Sequence, residues 1–82
     1  MSQIVLETQT NLTPEEVFQR AKKILIDKHG MALDQESSCC LRLKSGGGFI
    51  QILVEKAGDQ TKVVIKSREW AELSKKFLLE LN

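Results

Sequence analysis

The second half of the chain contains three strand-like segments separated by two turns that contain glycine. The segments are SCCLRLK, FIQILVEK and TKVVIKS, and the turns are SGGG and AGDQ. Each segment is rich in the residue types that are typical of strands. Because short glycine-containing loops join neighbouring antiparallel strands, this stretch predicts an antiparallel sheet.

The lengths of the two turns predict how these strands align. With four-residue loops at 45–48 and 57–60, Lys44 lies opposite Phe49 and Lys56 lies opposite Thr61. Residues that lie opposite each other point to the same face of a sheet. One face is then entirely apolar and consists of Cys39, Leu41, Leu43, Ile50, Ile52, Val54, Val63 and Ile65. A slip of one residue would destroy this agreement, so the apolar face supports the predicted register.

The opposite side of the predicted sheet, which we call the outer face, mixes apolar and basic side chains. Three rows cross its strands: Cys40, Leu53 and Val64; Arg42, Gln51 and Lys66; and Lys44, Phe49 and Arg68. Beyond these rows, Glu55 lies opposite Lys62, which is a favourable cross-strand pair. The residues of the three rows are the predicted binding residues of this chain.

A helix is predicted over 14–29. Thr13 is suited to the N-cap and Pro14 to the first helical position, while Glu16 can complete a capping box. Gly30 is suited to end the helix. The preceding segment QIVLET alternates like a strand, and residues 31–36 either extend the next strand or form a short strand of their own.

The end of the chain returns to a helical pattern. Apolar residues recur at helical spacing at Trp70, Leu73, Phe77, Leu78 and Leu81. The predicted order is therefore β-α-β-β-β-α, with a split in the second strand as the alternative. We predict an α+β fold in which an antiparallel sheet carries both helices on one face.

Size and composition predict a single domain over 1–82. The formal net charge is +1, which by itself indicates no particular partner. No apolar stretch approaches the roughly 18 residues of a membrane span, and the N-terminus does not resemble a signal peptide. We therefore expect a cytoplasmic protein without a membrane partner.

The adjacent cysteines are predicted to be structural. Neighbouring residues of a strand point to opposite faces, which places Cys39 in the core and Cys40 on the outer face. A disulfide between them is not expected, because neighbouring Cα atoms are about 3.8 Å apart, less than the usual disulfide span. Two cysteines and His29 are too few for a paired-ligand zinc site, so neither a metal nor a cofactor is predicted.

No catalytic arrangement is predicted either. A phosphate-binding glycine loop lies between a strand and a helix, whereas the glycines at 46–48 lie between two strands. The carboxylates of Glu15, Glu16, Glu69 and Glu72 lie near predicted helix starts, where they complement the helix dipole. The chain is accordingly predicted not to be an enzyme.

The outer face supports two binding hypotheses. In the first, Cys40, Leu53 and Val64 form the centre of an interface with a protein partner or a second copy of the chain, or a sheet edge does so. In the second, Phe49 stacks on an unpaired base while basic residues contact phosphates: Arg42, Lys44, Lys66 and Arg68. A groove for a small apolar ligand between the sheet and the C-terminal helix is the third alternative.

The opening segment IVLETQTNLTPEEVFQRAKKIL is similar to the first strand and helix of helix-grip proteins, the START and Bet v 1-like group. The later strands and the terminal AELSKKFLLEL continue in the same order. This resemblance implies a curved antiparallel sheet around a C-terminal helix, with apolar ligands bound between them. The order also resembles the TATA-binding repeat, which binds DNA with its open sheet face, and the αβββα part resembles double-stranded RNA-binding domains. These similarities are architectural and imply no site residue.

Overall fold

The computed structural model describes residues 3–81 and contains a five-stranded sheet and two helices. Its elements are β1 (Gln3–Thr10), α1 (Pro14–Ala21), a π-helical segment (Lys22–Lys28), β2 (Ala32–Glu36), β3 (Cys40–Ser45), β4 (Gly48–Ala57), β5 (Gln60–Arg68) and α2 (Ala71–Glu80). The predicted α+β class is confirmed. Residues 31–36 contain a short strand of their own, which was one of the two expectations for them.

The sheet is antiparallel throughout, in the order β1-β5-β4-β3-β2. Its register is the predicted one, since Lys44 pairs with Phe49 and Lys56 pairs with Thr61. The outermost residues of each four-residue loop also pair, which leaves two residues at the tip of each turn: Gly46 and Gly47 in the first.

Helix α1 begins as its sequence predicts and then changes its winding. The Thr13 hydroxyl accepts a hydrogen bond from the Glu16 amide, and the Thr13 amide donates to the Glu16 carboxylate, which completes the capping box. The predicted helix over 14–29 is helical as far as Lys28, but residues 22–28 wind as a π-helix rather than as an α-helix. This wider winding rotates the later residues relative to an α-helix, and Lys28 is exposed rather than in line with the buried Leu25. Gly30 ends the helix with a positive φ of 71°, as expected for a C-terminal glycine.

Both helices pack on the same face of the sheet, as predicted. The core combines the inner face of β3, β4 and β5 with side chains from α1, the π-helical segment, α2 and the residues that directly follow them. Its buried members are Val17, Phe18, Ala21, Leu25, Met31, Leu41, Leu43, Ile50, Ile52, Val54, Val63, Ile65, Leu73, Phe77 and Leu81. The buried Thr10 hydroxyl donates to the Leu81 carbonyl at 2.8 Å, which joins the end of β1 to the end of α2. The face that carries no helix is therefore the outer face predicted from the sequence.

One predicted core residue is misplaced. Cys39 is exposed and lies before β3, which begins at Cys40. The chain turns at this point, and the Ser37 amide donates to the Cys40 carbonyl at 2.8 Å. The strand alternation that placed Cys39 in the core does not extend into this turn, so that prediction is wrong.

Candidate interaction surface

The outer face has the rows that the sequence predicts, and β1 and β2 extend them. Cys40 pairs with Leu53 and Leu53 with Val64. In the same way Arg42, Gln51 and Lys66 form one row, and Lys44, Phe49 and Arg68 form another. On the β1 side, Val5 lies beside Lys66 and Glu7 lies beside Val64.

The middle of the outer face is apolar. Leu53, Val64 and Cys40 are half-buried by their neighbours in the sheet, and Val5 of β1 is 60% exposed. A shallow depression of about 350 Å³ lies over this region and is lined by Cys39, Cys40, Leu53, Val54, Glu55, Val64 and Lys66. Cys40, Leu53 and Val64 thus form an apolar row across three adjacent strands, which we call the apolar patch.

Arg42 is held by neighbouring groups on three sides. Its guanidinium lies over the Phe49 ring, 4.2 Å from the ring centroid. Its Nε is 3.2 Å from a carboxylate oxygen of Asp34, and its guanidinium also contacts the Gln51 side-chain oxygen at 3.4 Å. The exposed surface of Phe49 is therefore shared with Arg42, in a cation–π contact, rather than left open for a base.

Asp34 also belongs to this surface, and the sequence did not identify it. The register between β2 and β3 shifts between Leu33 and Gln35, and this irregularity places the Asp34 carboxylate near both Arg42 and Lys44. The Lys44 ammonium is 3.4 Å from it. The sequence does not indicate this role of Asp34, because a bulge in an edge strand leaves no periodic signal.

The two ends of the outer face differ in charge. At one end Lys44, Lys66 and Arg68 are all exposed. Toward the other end Lys62 lies between two carboxylates, 3.5 Å from Glu7 and 3.7 Å from Glu55. The predicted pairing of Glu55 with Lys62 is thereby confirmed, and the outer face has a basic end and an end with more acidic than basic groups.

Cys39 and Cys40 form a disulfide with each other, which is contrary to the prediction that they would not. The alternation argument had separated their sulfur atoms onto opposite faces, but Cys39 belongs to the turn at 37–40 and not to the strand. Neither cysteine is free. The disulfide lies at the rim of the apolar patch, of which Cys40 is a member.

A second depression, of about 420 Å³, lies where β1 and β5 meet the start of α2. Ile4, Trp70 and Leu73 supply its apolar walls, and Glu69 and Glu72 lie at its rim. The buried Ser67 hydroxyl also belongs to it and has no hydrogen-bond partner within residues 3–81. This is the place in the structure that corresponds to the third alternative, a groove beside the C-terminal helix.

Among residues 3–81, no group of three or more His, Cys, Asp and Glu side chains is arranged to hold a metal ion. No helix in the same range is long and apolar enough to cross a membrane.

The geometry defines a small α+β module with one open sheet face. Its fold is similar to that of Aha1 from Colwellia psychrerythraea, of which a dimer was solved in solution, with a TM-score of 0.72 over 99% of this chain and 93% of that chain. The sequences are 16% identical, so this similarity concerns the fold alone. No protein family was found to match the sequence, and no curated protein matches it. The resemblance to helix-grip proteins and to the TATA-binding repeat stays a prediction.

Proposed function

We propose that this protein is a non-enzymatic interaction module whose outer face binds a second copy of the same chain. The observation that carries the proposal is the apolar patch, which spans neighbouring strands on the side of the sheet without helices. An antiparallel sheet can present a polar face to water, and single exposed apolar residues need no explanation. Here, however, Leu53 has an apolar cross-strand neighbour on each side, Cys40 on one strand and Val64 on the other. An apolar centre with a charged rim is the usual composition of an interface.

The charge distribution favours a second copy over an unrelated protein. A two-fold axis that crosses the strands would place the basic end of one protomer, with Lys66 and Arg68, against the end of its partner that carries Glu55. The same axis would place the two apolar patches against each other. A surface that is complementary to itself in this way is what a symmetric dimer requires. The dimeric state of the Aha1 structure, a protein of similar fold, supports the same expectation.

The contacts of the outer face give less support to nucleic-acid binding. Arg42 covers Phe49, and Asp34 neutralises part of the charge of Arg42 and Lys44. A platform for single strands needs an open aromatic ring and unpaired cations. Phosphate contacts would also make affinity fall steeply with salt, which an oligonucleotide titration would detect.

Sedimentation of the protein from low to high micromolar concentration tests the proposal. We expect a concentration-dependent dimer, and we expect Leu53→Glu to abolish it by placing a charge in the middle of the apolar patch. Leu79→Glu is the matched control, because Leu79 is 77% exposed on α2, on the other side of the sheet. This variant should dimerise like the original protein.

Two results would contradict the proposal. One is a strict monomer at high micromolar concentration. The other is a Leu53→Glu variant that keeps its fold by circular dichroism and dimerises as strongly as Leu79→Glu.

A further inference from the structure

The disulfide between Cys39 and Cys40 contributes little to holding the fold together. A disulfide stabilises mainly by restricting the unfolded chain, and the effect grows with the length of the loop that it closes. Between neighbouring residues that loop is the shortest available. Cys39 is exposed, and the buried residues of β3 begin at Leu41. The bond is therefore placed where it can open without disturbing the core.

The backbone around the two cysteines is held by other contacts. The Ser37 amide donates to the Cys40 carbonyl at 2.8 Å, and the Val54 amide donates to the Cys39 carbonyl at 2.9 Å. These hydrogen bonds fix the turn and its attachment to β4 independently of the sulfur atoms. Breaking the disulfide therefore leaves the turn in place, with both sulfurs close enough to recombine.

The two sulfurs differ in their surroundings. Cys39 is exposed, whereas Cys40 is half-buried beside Leu53 in the apolar patch. The Ser37 hydroxyl lies 3.4 Å from the Cys39 sulfur. Thiol–disulfide exchange requires an attacking thiolate to reach one sulfur of the bond, so the accessible sulfur is that of Cys39.

We propose that Cys39 and Cys40 form a reversible thiol–disulfide exchange site that accepts two electrons from a dithiol reductant, and that the Cys39 sulfur is the one attacked. This site goes beyond the proposed interface and does not require the protein to dimerise.

The exchange proceeds in two balanced steps. A thiolate of the reductant forms a bond to the Cys39 sulfur, and the electron pair of the broken sulfur–sulfur bond leaves on Cys40, which takes up a proton. The second thiolate of the reductant then attacks the first sulfur of the reductant, which is bonded to Cys39 in the mixed disulfide. The Cys39 thiolate is released, with the Ser37 hydroxyl placed to donate a hydrogen bond to it, and it then takes up a proton from the solvent. The reductant ends as a disulfide and the protein as two thiols.

Counting thiols in the folded protein tests the proposal. The protein is equilibrated in buffers with increasing ratios of oxidised to reduced glutathione, alkylated with iodoacetamide under native conditions and weighed by mass spectrometry. We expect two alkylated cysteines in reducing buffer or after treatment with dithiothreitol, and none in oxidising buffer. The circular dichroism spectrum should be the same in both states. Two alkylated cysteines in every buffer, or a bond that dithiothreitol reduces only after unfolding, would overturn the proposal.

Two single variants test which sulfur is attacked. Cys40→Ser leaves Cys39 as the only thiol, and Cys39→Ser leaves Cys40. We expect the thiol of Cys40→Ser to react with iodoacetamide several-fold faster, because Cys39 is exposed and Cys40 is partly covered. Equal rates, or a faster reaction of Cys39→Ser, would overturn the assignment of Cys39.

Discussion

Gly48 lies at the closest approach between the β3–β4 turn and the connection from β5 to α2. A Cβ atom at this position would overlap the Arg68 carbonyl oxygen, and it would lie 2.7 Å from the Cβ of Glu69. Glu69 itself has a φ of 74°, a left-handed conformation that is uncommon for a residue with a side chain. The Trp70 indole donates to the Ser45 carbonyl at 3.1 Å and keeps the two segments together. The absence of a side chain at Gly48 is thus a requirement of packing.

We expect Gly48→Ala to destabilise the protein by about 1–3 kcal/mol, the usual range for overpacking in a well-packed region. The backbone atoms that the new methyl group meets cannot move aside without shifting a strand. Gly47→Ala is the control, because a Cβ there meets nothing within 4 Å. Its effect should stay within about 0.5 kcal/mol. Urea unfolding of both variants measures the difference, and equal free energies of unfolding would contradict this account.

The sequence does not predict the positions of residues that lie outside the regular alternation of a strand. The alignment of Cys40, Leu53 and Val64 follows from alternation and turn length alone, and it was predicted, whereas the neighbours that β1 adds were not. Asp34 reaches Arg42 only through the irregular pairing of β2, and Cys39 is exposed only because the chain turns before β3 begins. Alternation describes a strand and carries no information about the turn or bulge at its end.

At the scale of elements, the start of α1 depends on an exposed carboxylate. The Thr13 amide donates to the Glu16 carboxylate at 2.9 Å. This hydrogen bond from the backbone of Thr13, together with one involving its side chain, lowers the pKa of Glu16 below its ordinary value of 4.5. Because the pKa of Glu16 is lower in the folded protein than in the unfolded chain, its charge stabilises the folded protein at pH values above 4.5. This stabilisation is lost as the pH falls through the folded pKa.

Glu16→Gln separates this contribution from those of other carboxylates. Glutamine can occupy the same position in a capping box but does not titrate. We therefore expect the original protein to lose stability relative to Glu16→Gln as the pH falls below 4.5, and to show a constant difference at higher pH. Thermal unfolding of both proteins across this range provides the measurement. A difference that does not change with pH would contradict the proposed role of the charge.

The elements themselves were predictable to different degrees. The start of α1 was predicted because Thr13, Pro14 and Glu16 act through local contacts. Its π-helical second half was not, because the same apolar residues fit a regular helix equally well, and only packing against the sheet distinguishes the two windings. The pairing of β4 with both β3 and β5 was predicted, since each turn fixes the register of its own hairpin.

At the scale of the whole molecule, the sheet has a protected centre and two unequal edges. β4 and β5 have strands on both sides and helices over their inner face. β2 is exposed at every residue and pairs only with β3, through an irregular register. β1 is the opposite edge, and it is tied to α2 by the Thr10 hydrogen bond to Leu81. Short or irregular edge strands pair poorly with other chains, so β1 is the edge better suited to accept a partner strand.

Native-state hydrogen exchange should be slowest in the central strands of the sheet and fastest at the β2 edge. We expect the amides of β4 and β5 to exchange only when the whole domain unfolds, and those of β2 to exchange through local opening. The exchange rates of the two groups should differ at least about tenfold, or by about 1.4 kcal/mol of opening free energy.

Hydrogen exchange measured at low and at high protein concentration distinguishes the two ways in which this chain could self-associate. A dimer formed through the outer face leaves the edge amides of β1 unprotected, because side chains rather than backbone groups make the contact. Protection of β1 that increases with concentration would instead mean that the strand edge forms the interface, and the proposed role of the apolar patch would be wrong.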